Sequence, residues 1–262
     1  MILYCNGCSY TYGTKLSLGN LKLAWPYLVA KNLDATLINS SQQGQSNLTI
    51  YKKSVEDILS LEKKPDLAII QWTFFERFNT PVGKKFLMNF PDTQLKFQTH
   101  FPFAHDRAKE EDKEWYRNYY DIKNTLQMEH LTDLSMFYMY MLQSFLSAKR
   151  IPYIFMDCDN NKRYGSNSLK IKNEFYSQRL ESKYWLHNLE TSLTEILFSH
   201  NYKLCRNFDS NGFTDDHFMA DAHEFLSEAI LDFFHLNEKL RIRRKNLRGR
   251  QRDPIHFYGD DM

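Results

Sequence analysis

Residues 1–13 read MILYCNGCSYTYG, an apolar run that ends in a serine between two glycines, and this pattern decides the fold. A short, continuously apolar run is typical of a strand buried on both faces of a sheet. The glycines on either side of Ser9 let the backbone turn sharply where a strand gives way to a helix. Open α/β sheets bind ligands at the carboxyl ends of their strands, so we expect Ser9 at that edge.

The same strand pattern recurs along the chain, alternating with helical patterns. Further strands are predicted at residues 35–39, 67–72 and 153–156, with a weaker one at 202–205. Helices are predicted, from apolar residues spaced three and four apart, at residues 23–33, 48–61, 131–148, 184–198 and 222–236. Such alternation implies right-handed crossovers and a parallel sheet covered on both sides. We therefore predict a three-layer α/β/α sandwich with a mostly parallel, flavodoxin-like sheet.

Two segments fall outside this alternation and divide the chain. Residues 74–127 form an aromatic-rich insertion after the third strand, and residues 239–262 form a basic tail, which leaves residues 1–238 as one domain. Long connections are uncommon in a compact domain unless they form a lid or a binding surface. The insertion is interpreted either as a cap over the site or as a thickening of one core edge. The tail is interpreted either as a solvated charge run or as a site for an anionic partner.

The composition is that of an ordinary globular protein, with 42% apolar residues and a formal net charge of +2. That charge is too small to indicate a nucleic-acid partner for the whole chain. No stretch approaches the roughly 20 apolar residues that cross a bilayer, and the first residues lack the features of a signal peptide. We expect a cytoplasmic protein with no membrane partner and leave its oligomeric state open.

Four cysteines, Cys5, Cys8, Cys158 and Cys205, are too few for a disulfide-stapled secreted protein, so reduced thiols are expected. Cys5 and Cys8 form a C-x-x-C, which fits a redox pair or half of a zinc site. No second pair of cysteines or histidines accompanies it. We therefore predict no metal and no cofactor, and keep a thiol protein as a minor alternative.

A second polar segment, TDDHFMADAH at residues 214–223, opens the last predicted helix. Histidine titrates near neutral pH, and a nearby carboxylate can orient it and stabilise its protonated form. Taken alone, an acidic residue before a helix or a serine after a strand is explained as a helix cap. Together they predict a triad with Ser9 as nucleophile, His217 as base and Asp215, favoured over Asp216, as the orienting acid.

Three blocks in the right order resemble the SGNH (GDSL-type) hydrolases. Residues 7–11, GCSYT, are similar to the first block in its G-x-S form, and Asp215 with His217 is similar to the last. Residues 39–47, NSSQQGQSN, are similar to the second block, whose glycine falls on Gly44. The resemblance implies an esterase whose oxyanion hole uses the backbone amides of Ser9 and Gly44 together with an asparagine side chain.

Two dipeptides, Trp25-Pro26 and Trp72-Thr73, resemble uncharacterised members of the family encoded by bacteriophages. That variant implies the cytoplasm of an infected host cell. His223 follows His217 by six residues, where the family often has a packing residue, so we expect a structural role for it.

The third block departs from the family pattern, because residues 71–77, QWTFFER, lack the glycine and asparagine of G-x-N-D. Losing one oxyanion donor typically costs about 3–4 kcal/mol of transition-state stabilisation. Four side chains are candidates to replace it. Asn47 and Thr73 are the first choices, and Gln71 and Arg77 are the alternatives. The last block also departs, since the D-x-x-H position is Thr214.

These observations predict a serine esterase that acts on a small-molecule or carbohydrate ester, with O-acyl groups on a carbohydrate mildly favoured. The aromatic insertion could stack on sugars or equally hold an acyl chain. The alternative is a catalytically weak or inactive binding or structural protein that keeps the fold, since fold alone does not imply function.

Overall fold

The computed structural model describes residues 1–14, 16, 20–75, 77, 79–81, 97–99, 128–158, 176, 178–186, 192–202 and 217–237. Several predictions lie outside these residues: the weak strand at 202–205 beyond Tyr202, the triad acids Asp215 and Asp216, Cys205, most of the insertion, and the tail.

The main sheet has four parallel strands in the order β2–β1–β3–β6. Its strands are β1 (Ile2–Asn6), β2 (Thr36–Asn39), β3 (Leu67–Trp72) and β6 (Tyr153–Asp157). Within the insertion, β4 (Asn79–Pro81) and β5 (Phe97–Thr99) pair antiparallel. The strand order confirms the predicted flavodoxin-like sheet, and each of its four strands lies within two residues of its predicted ends.

Helices cover both faces of the main sheet. They are α1 (Ser9–Tyr12), α2 (Trp25–Asn32), α3 (Asn47–Ser60), α4 (Met128–Ala148), α5 (Leu193–Ser199) and α6 (Ala220–Leu236). Short 3-10 turns precede α2 at Leu21–Leu23 and α5 at Ser182–Tyr184. Helices α2 and α6 pack together on one side, and α3 and α4 on the other. The three-layer prediction is therefore confirmed.

Alternation along the strands explains the two cores. In β1, Leu3 and Cys5 face the core shared with α2 and α6, whereas Tyr4 faces the core shared with α3 and α4. Successive side chains of a strand point to opposite faces, so a strand covered on both sides is apolar throughout. This is why the strands lack polar alternation.

The predicted helix at residues 184–198 is wrong at residues 184–186 and at Ser192. Trp185 has extended backbone, is buried, and forms an isolated parallel bridge with Phe155 of β6. Helix α5 begins only at Leu193, after Ser192, which forms a capping box with Glu195. Pairing with the edge of the sheet overrides the helical spacing of the apolar residues, which is a tertiary effect that local periodicity does not contain.

No helix in the described part of the chain is long and apolar enough to span a membrane.

Candidate active site at the carboxyl edge of the sheet

Ser9 occupies the predicted turn between β1 and the first helix. It is the first residue of α1 and is buried, and Cys8 before it has the extended backbone of an N-cap position. The amides of Thr11 and Tyr12 both donate to the Cys8 carbonyl at 3.0 Å. The short helix thus holds the serine directly above the end of the central strand pair.

Gly7 is required by close packing at this turn. A Cβ built on Gly7 would lie 2.9 Å from the Thr11 Cβ and 3.0 Å from the Gln71 Cβ, and closer still to the Thr11 hydroxyl oxygen. That hydroxyl donates a short hydrogen bond to Gln71 Oε1. Only a residue without a side chain lets α1 approach β3 in this way.

The loop that carries Gly44 lies against the Ser9 turn. The Ser40 amide donates to the Cys5 carbonyl at 2.8 Å, and the Gln42 amide donates to the Gly7 carbonyl at 3.3 Å. Gly44 has a φ of 77°, in the left-handed region that favours glycine. The structure therefore brings together the first and second blocks, as the resemblance implies.

Asn47, the first residue of α3, links that helix to the end of β3. Its Oδ1 accepts the Thr73 amide at 2.8 Å, and its Nδ2 donates to the Thr73 carbonyl at 3.0 Å and to Ser135 Oγ at 3.1 Å. All three residues are buried. Both hydrogens of the Asn47 amide are donated within the protein, so this side chain acts as a link between α3, β3 and α4.

Arg77 spans the end of β3 and the loop after β2. Its Nη1 donates to Thr73 Oγ1 at 2.8 Å and to the Gln45 carbonyl at 3.5 Å. Its guanidinium carbon lies 4.8 Å from the centre of the Phe74 ring. The side chain is half-buried, so its charge lies where the sheet edge meets solvent.

Cys5, Cys8 and Cys158 are free, buried thiols, and Cys8 interacts with Cys158, which follows β6. Burial by itself raises the pKa of the Cys8 thiol, but a hydrogen bond from Cys158, the charge of Arg77 and hydrogen bonds from the Tyr10 amide and the Thr73 hydroxyl together lower the pKa well below its usual range. Burial raises the pKa of Cys5, whose side chain packs in the core. No group of three or more metal-ligating side chains occurs in the described ranges.

His217 lies beside the serine turn. Its ring packs on Tyr10, the residue after Ser9, with ring centroids 5.2 Å apart. The ring of Phe218 also packs on Tyr10, with a centroid distance of 5.7 Å. The predicted base is thus held next to α1 although the two segments are about two hundred residues apart in the chain. Asp215 and Asp216 belong to the undescribed stretch before it.

His223 is buried on α6, and its Nδ1 accepts the Trp25 amide of α2 at 3.4 Å. Burial, together with the nearby charge of His217, lowers the pKa of His223 to about 4, so the imidazole is neutral near pH 7. A neutral ring that accepts a backbone amide between two helices fits the structural role expected for it.

Sequence reasoning missed Asn6, which anchors the other side of the turn. Its Oδ1 accepts the Gly7 amide at 2.8 Å, and its Nδ2 donates to the Ile50 carbonyl at 3.1 Å and to Ser54 Oγ at 2.9 Å. The signal was a lone polar residue at the end of an apolar strand. Cys158 and Ser135 had no comparable signal, since their roles arise from long-range contacts.

No family model and no curated protein sequence matches the chain. A solved structure, the crystal structure of TesA, is 11% identical over 89% of this chain and 98% of that one, with a TM-score of 0.51. The fold is that of the SGNH hydrolases. 

Two further matches have lower scores. A member of the lipolytic protein G-D-S-L family from Veillonella parvula is 10% identical, over 90% of this chain and 99% of that one, with a TM-score of 0.44. A carbohydrate esterase family 2 enzyme with a carbohydrate-binding domain, from Corynascus thermopiles, is 10% identical over 90% and 66%, with a TM-score of 0.48. At such identities the likeness concerns the fold.

Proposed function

We propose that this protein is a serine esterase in which Ser9 is the nucleophile and His217 the general base. The observation that carries the proposal is the contact between His217 and Tyr10, which holds an imidazole beside the turn that presents Ser9. A serine hydroxyl needs an adjacent base to become a nucleophile, and histidine is the usual one.

In the proposed reaction, His217 takes the hydroxyl proton as Ser9 Oγ bonds to the ester carbonyl carbon. The resulting tetrahedral oxyanion is stabilised by the backbone amides of Ser9 and Gly44. When the bond to the alcohol oxygen breaks, His217 returns its proton to that alcohol and an acyl-enzyme remains. Water then attacks by the same route and releases the acid. Asp215 is proposed to orient His217.

The proposed substrate is a small-molecule or carbohydrate ester. The basis is the aromatic insertion of residues 74–127, which leaves the sheet at the edge where Ser9 lies and which we propose as a cap on the domain of residues 1–238. The anionic partner of the tail, the likeness to phage proteins and the cytoplasmic location stay predictions from the sequence.

The second candidate is a binding protein of the same fold with weak or no turnover. The absent asparagine of the third block favours it, because residues 71–77 offer no asparagine at the sheet edge. A ligand that binds wild type and Ser9→Ala equally, with no turnover by either, would support this candidate.

The test is labelling with a fluorophosphonate probe, which reacts with an activated serine whatever the natural substrate. We expect wild type to be labelled at Ser9 and both Ser9→Ala and His217→Ala to lose the label. Ser60→Ala and His130→Ala, at exposed positions, are the matched controls and should keep it. A folded wild type that takes no label and hydrolyses no short-chain aryl ester would refute the esterase proposal.

A further inference from the structure

The missing asparagine of the third block leaves one donor of the oxyanion hole unassigned, and three of the four candidates to replace it, Asn47, Gln71 and Thr73, are buried. Asn47 donates both amide hydrogens to Thr73 and Ser135. Gln71 is fully buried, with its Oε1 accepting Thr11 and its Nε2 directed at the Cys8 sulfur at 3.9 Å.

Thr73 is fully buried, and its hydroxyl contacts Arg77 and Cys158. The hydroxyl oxygen accepts a hydrogen bond from Arg77 Nη1 at 2.8 Å and lies 3.9 Å from the Cys158 sulfur. Because Thr73 has no exposed surface, its hydroxyl is not open to a substrate.

Arg77 differs from the other three in exposure, charge and donor number. It is half-buried and carries five N–H donors in a planar fork suited to anionic oxygens. One nitrogen, Nη1, contacts both Thr73 at the end of β3 and the carbonyl of Gln45, the residue after Gly44. The Phe74 ring supports the guanidinium from below at 4.8 Å. These contacts hold the cation between the end of β3 and the second block, beside Gly44.

The charge of Arg77 affects the pKa of a thiol on each side of β3. It lowers the pKa of Cys8, the residue before Ser9, and it also opposes the burial that raises the pKa of Cys158. Cys8 is the residue before Ser9, so the charge of Arg77 acts on the turn that presents the serine.

We propose that Arg77 is the catalytic residue that replaces the missing asparagine, stabilising the oxyanion formed when Ser9 attacks an ester. The inference rests on the proposed function. The carbonyl oxygen gains its negative charge as the Ser9 Oγ–carbon bond forms and loses it as the alcohol departs. Arg77 donates hydrogen bonds to that oxygen while it carries the negative charge and exchanges no proton with it.

The test compares Arg77→Gln and Arg77→Lys with wild type in hydrolysis of p-nitrophenyl acetate. We expect Arg77→Gln to lower kcat about 10²–10³-fold, the size seen when one oxyanion donor is lost. KM should change by less than about threefold, because the interaction forms in the transition state. Arg77→Lys should keep part of the activity. Arg179→Gln, an exposed arginine away from the site, is the control and should behave as wild type.

A rescue experiment separates this role from a structural one. Methylguanidinium added to Arg77→Ala should raise kcat at least about tenfold and should have no effect on Ser9→Ala. The inference is overturned if Arg77→Gln keeps kcat within about threefold of an active wild type. It is also overturned if the loss of kcat in Arg77→Ala is not rescued and accompanies a lowered Tm. In both cases labelling at Ser9 still supports the esterase proposal. A wild type with neither labelling nor hydrolysis refutes both.

Discussion

Replacing Asn47 by alanine tests whether the end of β3 depends on the side chain that links it to α3. The change removes three hydrogen bonds and leaves the amide and carbonyl of Thr73 buried without those partners. A buried polar group left unsatisfied costs about 1–3 kcal/mol, so the two groups together lower the free energy of unfolding by about 4 kcal/mol. For a chain of this size that lowers Tm by about 10 °C.

The assay is urea and thermal unfolding followed by tryptophan fluorescence, with Asn32→Ala as the matched control. Asn32 is exposed, and its Nδ2 makes one bond, to the Leu28 carbonyl at 2.9 Å, so its loss should change stability by less than about 0.5 kcal/mol. Asn47→Asp should be at least as damaging as Asn47→Ala, because a carboxylate oxygen would then face the Thr73 carbonyl. If Asn47→Ala loses no more than about 1 kcal/mol beyond the control, the proposed link contributes little and the reasoning fails.

Three further predictions concern the turn, the buried histidine and the core thiol. Gly7→Ala forces a methyl group against Thr11 and Gln71, so unfolding measurements should show a loss of about 1–3 kcal/mol; an unchanged Tm would contradict the close packing. The pKa of His223 is about 4 in the folded protein, below its ordinary value of 6.5, so the unfolded chain binds a proton first as the pH falls. The neutral ring therefore stabilises the folded state fully above pH 6.5, and this stabilisation is lost as the pH falls towards 4. His223→Gln should therefore remove up to about 3 kcal/mol of the acid dependence of stability, and parallel curves for variant and wild type would show otherwise. Cys5→Ala should keep fluorophosphonate labelling at Ser9, because its thiol packs in the core, whereas loss of labelling in the folded variant would favour thiol chemistry.

The strands were predictable because burial on both faces leaves a local mark. The run 67–72 is apolar at almost every position, and its ends in the sequence are those of β3. Helix α3 was equally accessible, since Ser46 and the apolar spacing after it mark its start. The segment around Trp185 was not, because a bridge to Phe155 decides its backbone.

The polar contacts behind the site were not predictable, because their partners are far apart in the chain. Asn47 reaches Thr73 and Ser135, which are 26 and 88 residues away. Nothing in the neighbouring sequence distinguishes an asparagine with these contacts from a helix cap or from an oxyanion donor. Ser9 and His217 could be named because each is a reactive residue type at the end of a predicted strand or the start of a helix.

The parallel pairing of β3 with β6 bears on how far the length of the chain between these two strands can vary. Trp72 lies opposite Asp157, so the insertion of residues 74–127 falls within the long connection that closes between two adjacent strands. The entropy of closing a connection grows only with the logarithm of its length, so halving the insertion would alter that cost by less than about 0.6 kcal/mol. The sheet therefore sets no sharp limit on the length of the segment that follows β3. Exchanging that segment between relatives is a thermodynamically inexpensive change.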